Sequence, residues 1–324
     1  MSKGFWKKLK KPILVMAPMA NVTDMAYRQI VASCGKPDVF WTEFVSVDGL
    51  CSRGRERLIK DLQFGTKERP IMAQFFGKDP KKFIEAVKLA KKMKFDGIDI
   101  NMGCPDKKVI KQGAGADLIL NAKLAKKIIL TVKKAAGNLP VSVKTRISYS
   151  QYDKKEFKKW LENLLLARPD VIIIHGRTKK MMYTGVADWE AIKFGAEIVK
   201  NYNQKNKTNI LILGNGDVKD LVDAYEKIKA SGVDGVMIGR SILSNPWFFN
   251  KKNKKITSRD RVKILLKHLA LFHKIDGREG DFNSLKKYFK SYLSGFKNAK
   301  SLRIKLMATK NIKEARNVIR NYKS

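Results

Sequence analysis

Between Phe95 and Ile110 the chain reads FDGIDINMGCPDKKVI, a strand-like run followed directly by a thiol. Gly97-Ile98-Asp99-Ile100 is apolar and β-branched, as a short buried strand requires, and Asn101-Met102-Gly103-Cys104-Pro105 break a strand and begin a loop. Cys104 is thereby delivered to the carboxyl end of a strand, where parallel α/β proteins conduct their chemistry, as a candidate proton donor or nucleophile. A small buried hydrophobe is the plainer alternative for a lone cysteine. Gly103 lets the backbone approach a ligand closely and Pro105 fixes the loop's exit, so the thiol sits on a rigid turn.

Other apolar runs end in polar or glycine-containing tips: Pro18-Met19, Gln74, Lys144/Arg146, His175/Arg177, Asn215/Gly216 and Gly239/Arg240. LGNGD (213–217) and IGR (238–240) put glycines after the seventh and eighth runs, where barrels build phosphate sites from backbone N–H groups. Such a site, with Lys144 pointing inward, Gln74 and His175, suits a flavin mononucleotide (FMN). Its ring needs donors along its polar edge and a cation for its anionic reduced state. Pairing of Lys144 with Asp99, and a His175 satisfied within the barrel mouth, are the structural alternatives. A flavin gives hydride to one carbon of a polarised double bond, so an acid must protonate the neighbouring carbon. A thiol with an ordinary pKa of about 8.5 stays protonated at neutral pH for that task.

The elements that must position these residues follow a simple repeat. Short apolar runs recur at 13–19, 39–44, 70–77, 97–103, 140–146, 171–177, 210–216 and 235–240, separated by segments with apolar residues three and four apart, such as 24–33, 81–93, 124–136, 156–167, 189–201 and 218–231. Eight strand–helix repeats in this length predict a closed (β/α)₈ TIM barrel over residues 1–250. An open doubly wound sheet competes, but no GxGxxG opens the first helix. From 251 to 324 the pattern turns helical, predicting a small all-helical C-terminal domain. Its aromatics, Tyr288, Phe289, Tyr292 and Phe296, could stack on unpaired bases but read better as its core, and His268 and His273 read as structural.

Charge narrows the partners. The 324 residues carry 68 Lys+Arg against 30 Asp+Glu, a net +38, and residues 251–324 hold 22 Lys/Arg against 5 Asp/Glu. Such an excess attracts polyanions, nucleic acid first, although a lysine-rich composition from codon bias is the bland explanation. Three cysteines, Cys34, Cys51 and Cys104, make no paired framework, which points to a reducing, cytoplasmic setting without disulfides. The basic start and apolar run at 13–20 imitate a signal peptide but read as a first strand, and no run approaches the length of a membrane span. A monomer with no obligate protein partner is expected.

Taken together, the motifs resemble the tRNA-dihydrouridine synthases of the bacterial type over nearly the whole chain. APMANVTDMAYR (17–28), NMGCP (101–105), VKTR (143–146), HGRT (175–178), YTGVADW (183–189), GNGD (214–217) and GRSILSNPWFF (239–249) fit in order and spacing, with Tyr27 where phenylalanine is commoner. KKYFKSYLSGFKNAKSLR (286–303) resembles the family's helical RNA-binding domain. The resemblance implies reduction of specific uridines in tRNA with FMN as cofactor and NADPH (or NADH) as reductant. It implies Cys104 as proton donor and Asn101 at the target uracil, with Arg146 and Arg177 at the cavity mouth touching uracil or RNA. Pro18, Met19, Ala20, Gln74, Lys144 and His175 would hold the flavin ring and ribityl chain, and Asn215, Gly216, Asp217, Gly239 and Arg240 its phosphate. A flavin barrel acting on a free small molecule, dihydroorotate dehydrogenase-like or ene-reductase-like, is the alternative, with the basic tail arguing against it.

Overall fold

Apolar runs that are buried on both faces must belong to a parallel sheet covered by helices, and that is what the chain forms. The computed structural model describes residues 4–251, 255–276 and 282–322; most of the basic run 251–255 and Lys323 therefore lie outside the described residues. Eight strands, β1 (Ile13–Met16), β2 (Phe40–Ser46), β3 (Ile71–Phe76), β4 (Gly97–Met102), β5 (Val141–Ser148), β6 (Val171–Thr178), β7 (Leu211–Asn215) and β8 (Gly235–Ile238), run parallel in the order β1-β8-β7-β6-β5-β4-β3-β2. The ends of that order meet: Val15 bridges Val39, Met16 N–H donates to Val39 O at 3.1 Å, and Asp38 N–H donates to Leu14 O at 2.8 Å. The sheet is thus a closed (β/α)₈ barrel.

Alternate strand residues fill its interior. Ile13 and Val15, Trp41, Met72, Val171 and Ile173, Leu211 and Leu213, and Met237 form one cluster, joined by Trp6 from the short 3₁₀ helix Gly4–Lys8. Between strands, aspartates and an asparagine begin the helices by accepting from their first-turn N–H groups. Asp79 caps Pro80–Lys92, Asn121 caps Ala122–Ala136, Asp153 caps Lys154–Leu166, Asp188 caps Trp189–Asn206 and Asp220 caps Leu221–Ser231. Two further helices, Val47–Leu50 and Arg55–Asp61, follow β2, where the glycine- and charge-rich sequence carries no clear helical period.

The chain divides into two compact units, and the division is not a single cut at residue 250. One unit comprises residues 1–20 and 37–239; the other comprises 21–36 and 240–324. The helix Met25–Cys34 groups with the second unit because its buried face supplies Tyr27, which stacks on Tyr288 with ring centroids 4.5 Å apart. The rest of that unit is helical: Arg240–Ser244, Ser258–Asp276, Phe282–Leu285, Phe289–Tyr292, Ala299–Ala308 and Ile312–Arg320. Tyr288, Phe289 and Tyr292 are buried in its core, as the sequence predicts. His268 is fully buried, shares a 2.8 Å hydrogen bond with Tyr292 Oη, and is pushed down to about 3 by burial and then by the Lys287 charge, so it is a neutral core residue.

Candidate active site

The carboxyl end of β4 is built around one asparagine. Asn101 is buried, and its Oδ1 accepts from the Gly103 N–H at 3.0 Å and the Cys104 N–H at 2.8 Å, closing the turn that presents the thiol. The Ala116 N–H donates to the Cys104 carbonyl at 3.0 Å, tying down the other side of the loop. Gly115, at φ +62, lies against it; a Cβ there would come 2.8 Å from the Cys104 carbonyl oxygen and 3.2 Å from its Cβ. Cys104 packs among Phe76, Val109 and Ala114 with Phe44 beside them. Burial pushes its thiol pKa up, against the Asp106 backbone N–H and the cations Arg146 and Lys144, which favour the thiolate. The group at this loop is a protonated thiol.

Behind the loop lies a buried polar layer. Asp99 shares the inward face of β4 with Asn101, two residues on, and both are buried. Asp99 Oδ2 accepts from Gln74 Nε2 on β3 and Oδ1 accepts from Ser142 Oγ on β5. Gln74 Oε1 in turn accepts from Asn101 Nδ2 at 2.9 Å. Gln74 therefore uses its carbonyl and one amide hydrogen within the chain. Lys144, on β5 opposite Asn101, does not pair with Asp99: among the described residues its ammonium has no acceptor at hydrogen-bond distance and no carboxylate at ion-pair distance. Burial, then the Arg146 charge, lowers its pKa to about 8.

Arg146 and Arg177 are both 2 % exposed, and their guanidinium groups hold the segment after β6. Arg146 donates through Nε to the Gly103 carbonyl at 2.7 Å and through Nη1 to the Thr178 and Met182 carbonyls, each at 2.8 Å, and its guanidinium carbon lies over the Tyr183 ring, 5.9 Å from the centroid. Arg177 donates to Thr184 O at 3.0 Å and Gly185 O at 2.6 Å, and pairs with Asp217 at 2.6 Å. Its Nη1 lies 3.4 Å from His175 Nε2; a guanidinium only donates, so that nitrogen is the acceptor. Asp217 Oδ2 also accepts from the Ala187 N–H at 2.7 Å. The two arginines thus clamp residues 178–187 between the Cys104 loop and the end of β7.

At the ends of β7 and β8 the backbone is the functional surface. Asn215 Nδ2 donates to Met237 O at 2.7 Å, joining the two strands. Gly216 has φ +123, and a Cβ there would meet the Ala187 Cβ at 2.6 Å and the His175 ring at 3.1 Å. At Gly239 a Cβ would find nothing closer than 3.7 Å, where Ala17 and the Met19 sulfur lie. Among the described residues the Gly216 and Gly239 N–H groups have no acceptor. Pro18 is buried, Met19 half-buried and Ala20 exposed at the end of the first unit; Arg240 is exposed and begins the second unit. A solitary ammonium inside the barrel rim and two backbone N–H groups without acceptors form a donor set that suits an anionic ligand with a phosphate end, and FMN fits that description.

Sequence reasoning found the residues at the strand tips but missed the layer beneath. Asp99 entered it only as a partner for Lys144, and Ser142 not at all. The readable signal was a carboxylate at an inward position of an otherwise apolar buried strand. Among the described residues no cluster of His, Cys, Asp or Glu could hold a metal, and no helix is long and apolar enough to cross a membrane.

Comparison with known proteins adds the following. The family model described as dihydrouridine synthase matches residues 15–324. A probable tRNA-dihydrouridine synthase of Staphylococcus aureus (strain COL) is 39 % identical, with 100 % of this chain and 97 % of that protein covered. A probable tRNA-dihydrouridine synthase 2 of Bacillus subtilis (strain 168) is 36 % identical, covering 99 % and 97 %. Among solved structures, a morphinone reductase variant in complex with tetrahydroNAD superposes with a TM-score of 0.52 at 10 % identity, covering 73 % of this chain and 85 % of that one, a likeness of fold.

Proposed function

The chain belongs to the dihydrouridine synthase family, and on that premise we propose that it reduces the 5,6 double bond of uracil at specific uridines in tRNA, with FMN as cofactor and NADPH or NADH as reductant. The observation that carries this reading is the Cys104 thiol, held protonated on a turn pinned from both sides at the carboxyl end of β4, next to an unpartnered lysine.

FMN, reduced by NADPH or NADH, would supply the hydride for carbon 6 of the uracil. Lys144 would meet negative charge on the flavin, Pro18, Met19, Ala20 and His175 would hold its ring, and Gln74 would offer its remaining amide hydrogen. The free N–H groups of Gly216 and Gly239 take the phosphate, with Asn215 and Asp217 shaping the turn. Asn101 directs its carbonyl to the Cys104 turn and one amide hydrogen to Gln74, which leaves its second amide hydrogen for a uracil carbonyl. Cys104 holds its proton on Sγ and delivers it to carbon 5. The charges of Lys144 and Arg146 then favour the thiolate left behind. Arg146 and Arg177 fix the rim through backbone carbonyls and Asp217, and the Nη2 hydrogens of Arg146 remain for the uracil or the RNA backbone. The target uridine must leave its stack to reach this depth, at a cost of a few kcal/mol that backbone contacts from a basic protein offset. The helical unit, rich in lysine, supplies part of that grip, in a reducing cytoplasm where Cys104 stays a thiol.

Cys104→Ala tests the assignment. Flavin absorbance and tRNA binding should match the wild type, while dihydrouridine formation falls by about 10²- to 10⁴-fold, the usual contribution of a positioned general acid. Undiminished turnover would remove Cys104 from the chemistry.

A further inference from the structure

Asp99 reaches the Cys104 turn only through other residues, yet it ends a hydrogen-bonded chain that reaches the Cys104 backbone. The chain runs Asp99 Oδ2, Gln74 Nε2 and Oε1, Asn101 Nδ2 and Oδ1, then the N–H groups of Gly103 and Cys104. All three side chains are 5 % exposed or less. We propose that Asp99 is a positioning residue for Cys104: its carboxylate fixes the amide orientation of Gln74, which fixes that of Asn101, which holds the turn bearing the thiol.

The polarity of the chain forces this conclusion. A carboxylate can only accept, so Gln74 must face Asp99 with its NH₂ and therefore faces Asn101 with its oxygen. Only the NH₂ of Asn101 can meet that oxygen, which leaves Oδ1 for the turn. The other end makes the same demand independently, because two backbone N–H groups converge there and need an acceptor. Neither amide can flip alone without setting acceptor against acceptor at one of its contacts and donor against donor at the other. Ser142 Oγ donates to the second Asp99 oxygen, so the carboxylate itself is held in one plane. The groups that face it are Gln74 from β3, Trp41 from β2, and Ser142 and Lys144 from β5. Burial pushes its carboxyl up to about 6, while the Ser142 and Gln74 hydrogen bonds and the Lys144 charge act the other way, and both of its oxygens accept, one from Gln74 Nε2 and one from Ser142 Oγ, as those of a carboxylate do.

The proposal rests on Cys104 as proton donor, but the test separates the two. The full-length flavin-loaded protein is labelled with iodoacetamide and modification of the Cys104 peptide is followed by mass spectrometry, which reads the position of the turn and not turnover. D99N can present either end of its amide to Gln74, so the chain keeps only the constraint from the turn and loses the one from residue 99, and Cys104 labelling should quicken about threefold. Gln74→Met, similar in length but lacking both polar ends, should quicken it about tenfold. Ser142→Ala removes the other Asp99 hydrogen bond and leaves the chain intact, so it should stay within about twofold of the wild type. Turnover by D99N should fall about tenfold in kcat with KM for tRNA unchanged, as expected for a misplaced acid. Wild-type labelling in a folded D99N, or an equal rise in Ser142→Ala, would overturn the proposal. If D99N does not fold, Gln74→Met against Ser142→Ala decides it. Retained turnover by Cys104→Ala would end the catalytic reading and leave the labelling result standing as a property of the turn.

Discussion

Lys144 is the residue whose behaviour follows most directly from its surroundings. It is a cation in a partly closed barrel rim without an acceptor, and burial and Arg146 bring it to about 8. A lysine carries its charge below its pKa and loses it above. FMN affinity, measured by fluorescence titration, should therefore weaken as pH is raised from about 7 to about 9, and Lys144→Met should bind weakly at both ends with no step between. Affinity that holds constant across that interval in the wild type would separate Lys144 from the flavin. Cys104 was legible because strand formers give way abruptly to Asn, Gly and Pro around it. The internal use of Gln74 was not, because its partner lies 25 residues away and depends on the register Gln74↔Asp99 between β3 and β4. The same is true of Arg146 and Arg177: both arginines suggest an anion, but the structure gives them backbone carbonyls in a segment without periodicity.

Strands set the site because eight parallel carboxyl ends bring their tips to one rim, and that much followed from the recurrence of apolar runs alone. What the runs could not tell is how tightly their ends are packed. The turn after β7 depends on Gly216, which combines φ +123 with neighbours that leave no room for a methyl group. Gly216→Ala should lower stability by about 1–3 kcal/mol in urea denaturation and weaken FMN binding beyond that loss, since strain and overpacking add at one position. A variant as stable as the wild type with unaltered FMN affinity would show that this turn has neither role. The helices after β2 escaped the sequence reading for a related reason: they are short and held by local glycine turns instead of by an amphipathic period.

Charge belongs to the molecule as a whole. With a net +38, the proposed association with tRNA should be strongly salt-dependent, because each neutralised phosphate releases counterions. Between about 50 and 200 mM salt, tRNA affinity should fall by about 10³-fold or more if at least six phosphates are contacted, while FMN affinity in the same buffers changes little. A flat salt response would assign the lysines to solvation alone. The sequence shows a change from alternating to helical pattern but not the grouping of Met25–Cys34 with the helical residues, which runs through Tyr27: its ring stacks on Tyr288 and packs beside His268, and its hydroxyl donates to Ile242 O at 2.5 Å, all far away in sequence. The most direct test of the whole account uses unmodified tRNA transcript, the purified protein, FMN and NADPH, followed by nuclease digestion and mass mapping. The account predicts uridines heavier by two hydrogens at defined positions, formed only with flavin present. Oxidation of NADPH with a free small molecule while the tRNA stays unchanged would contradict it.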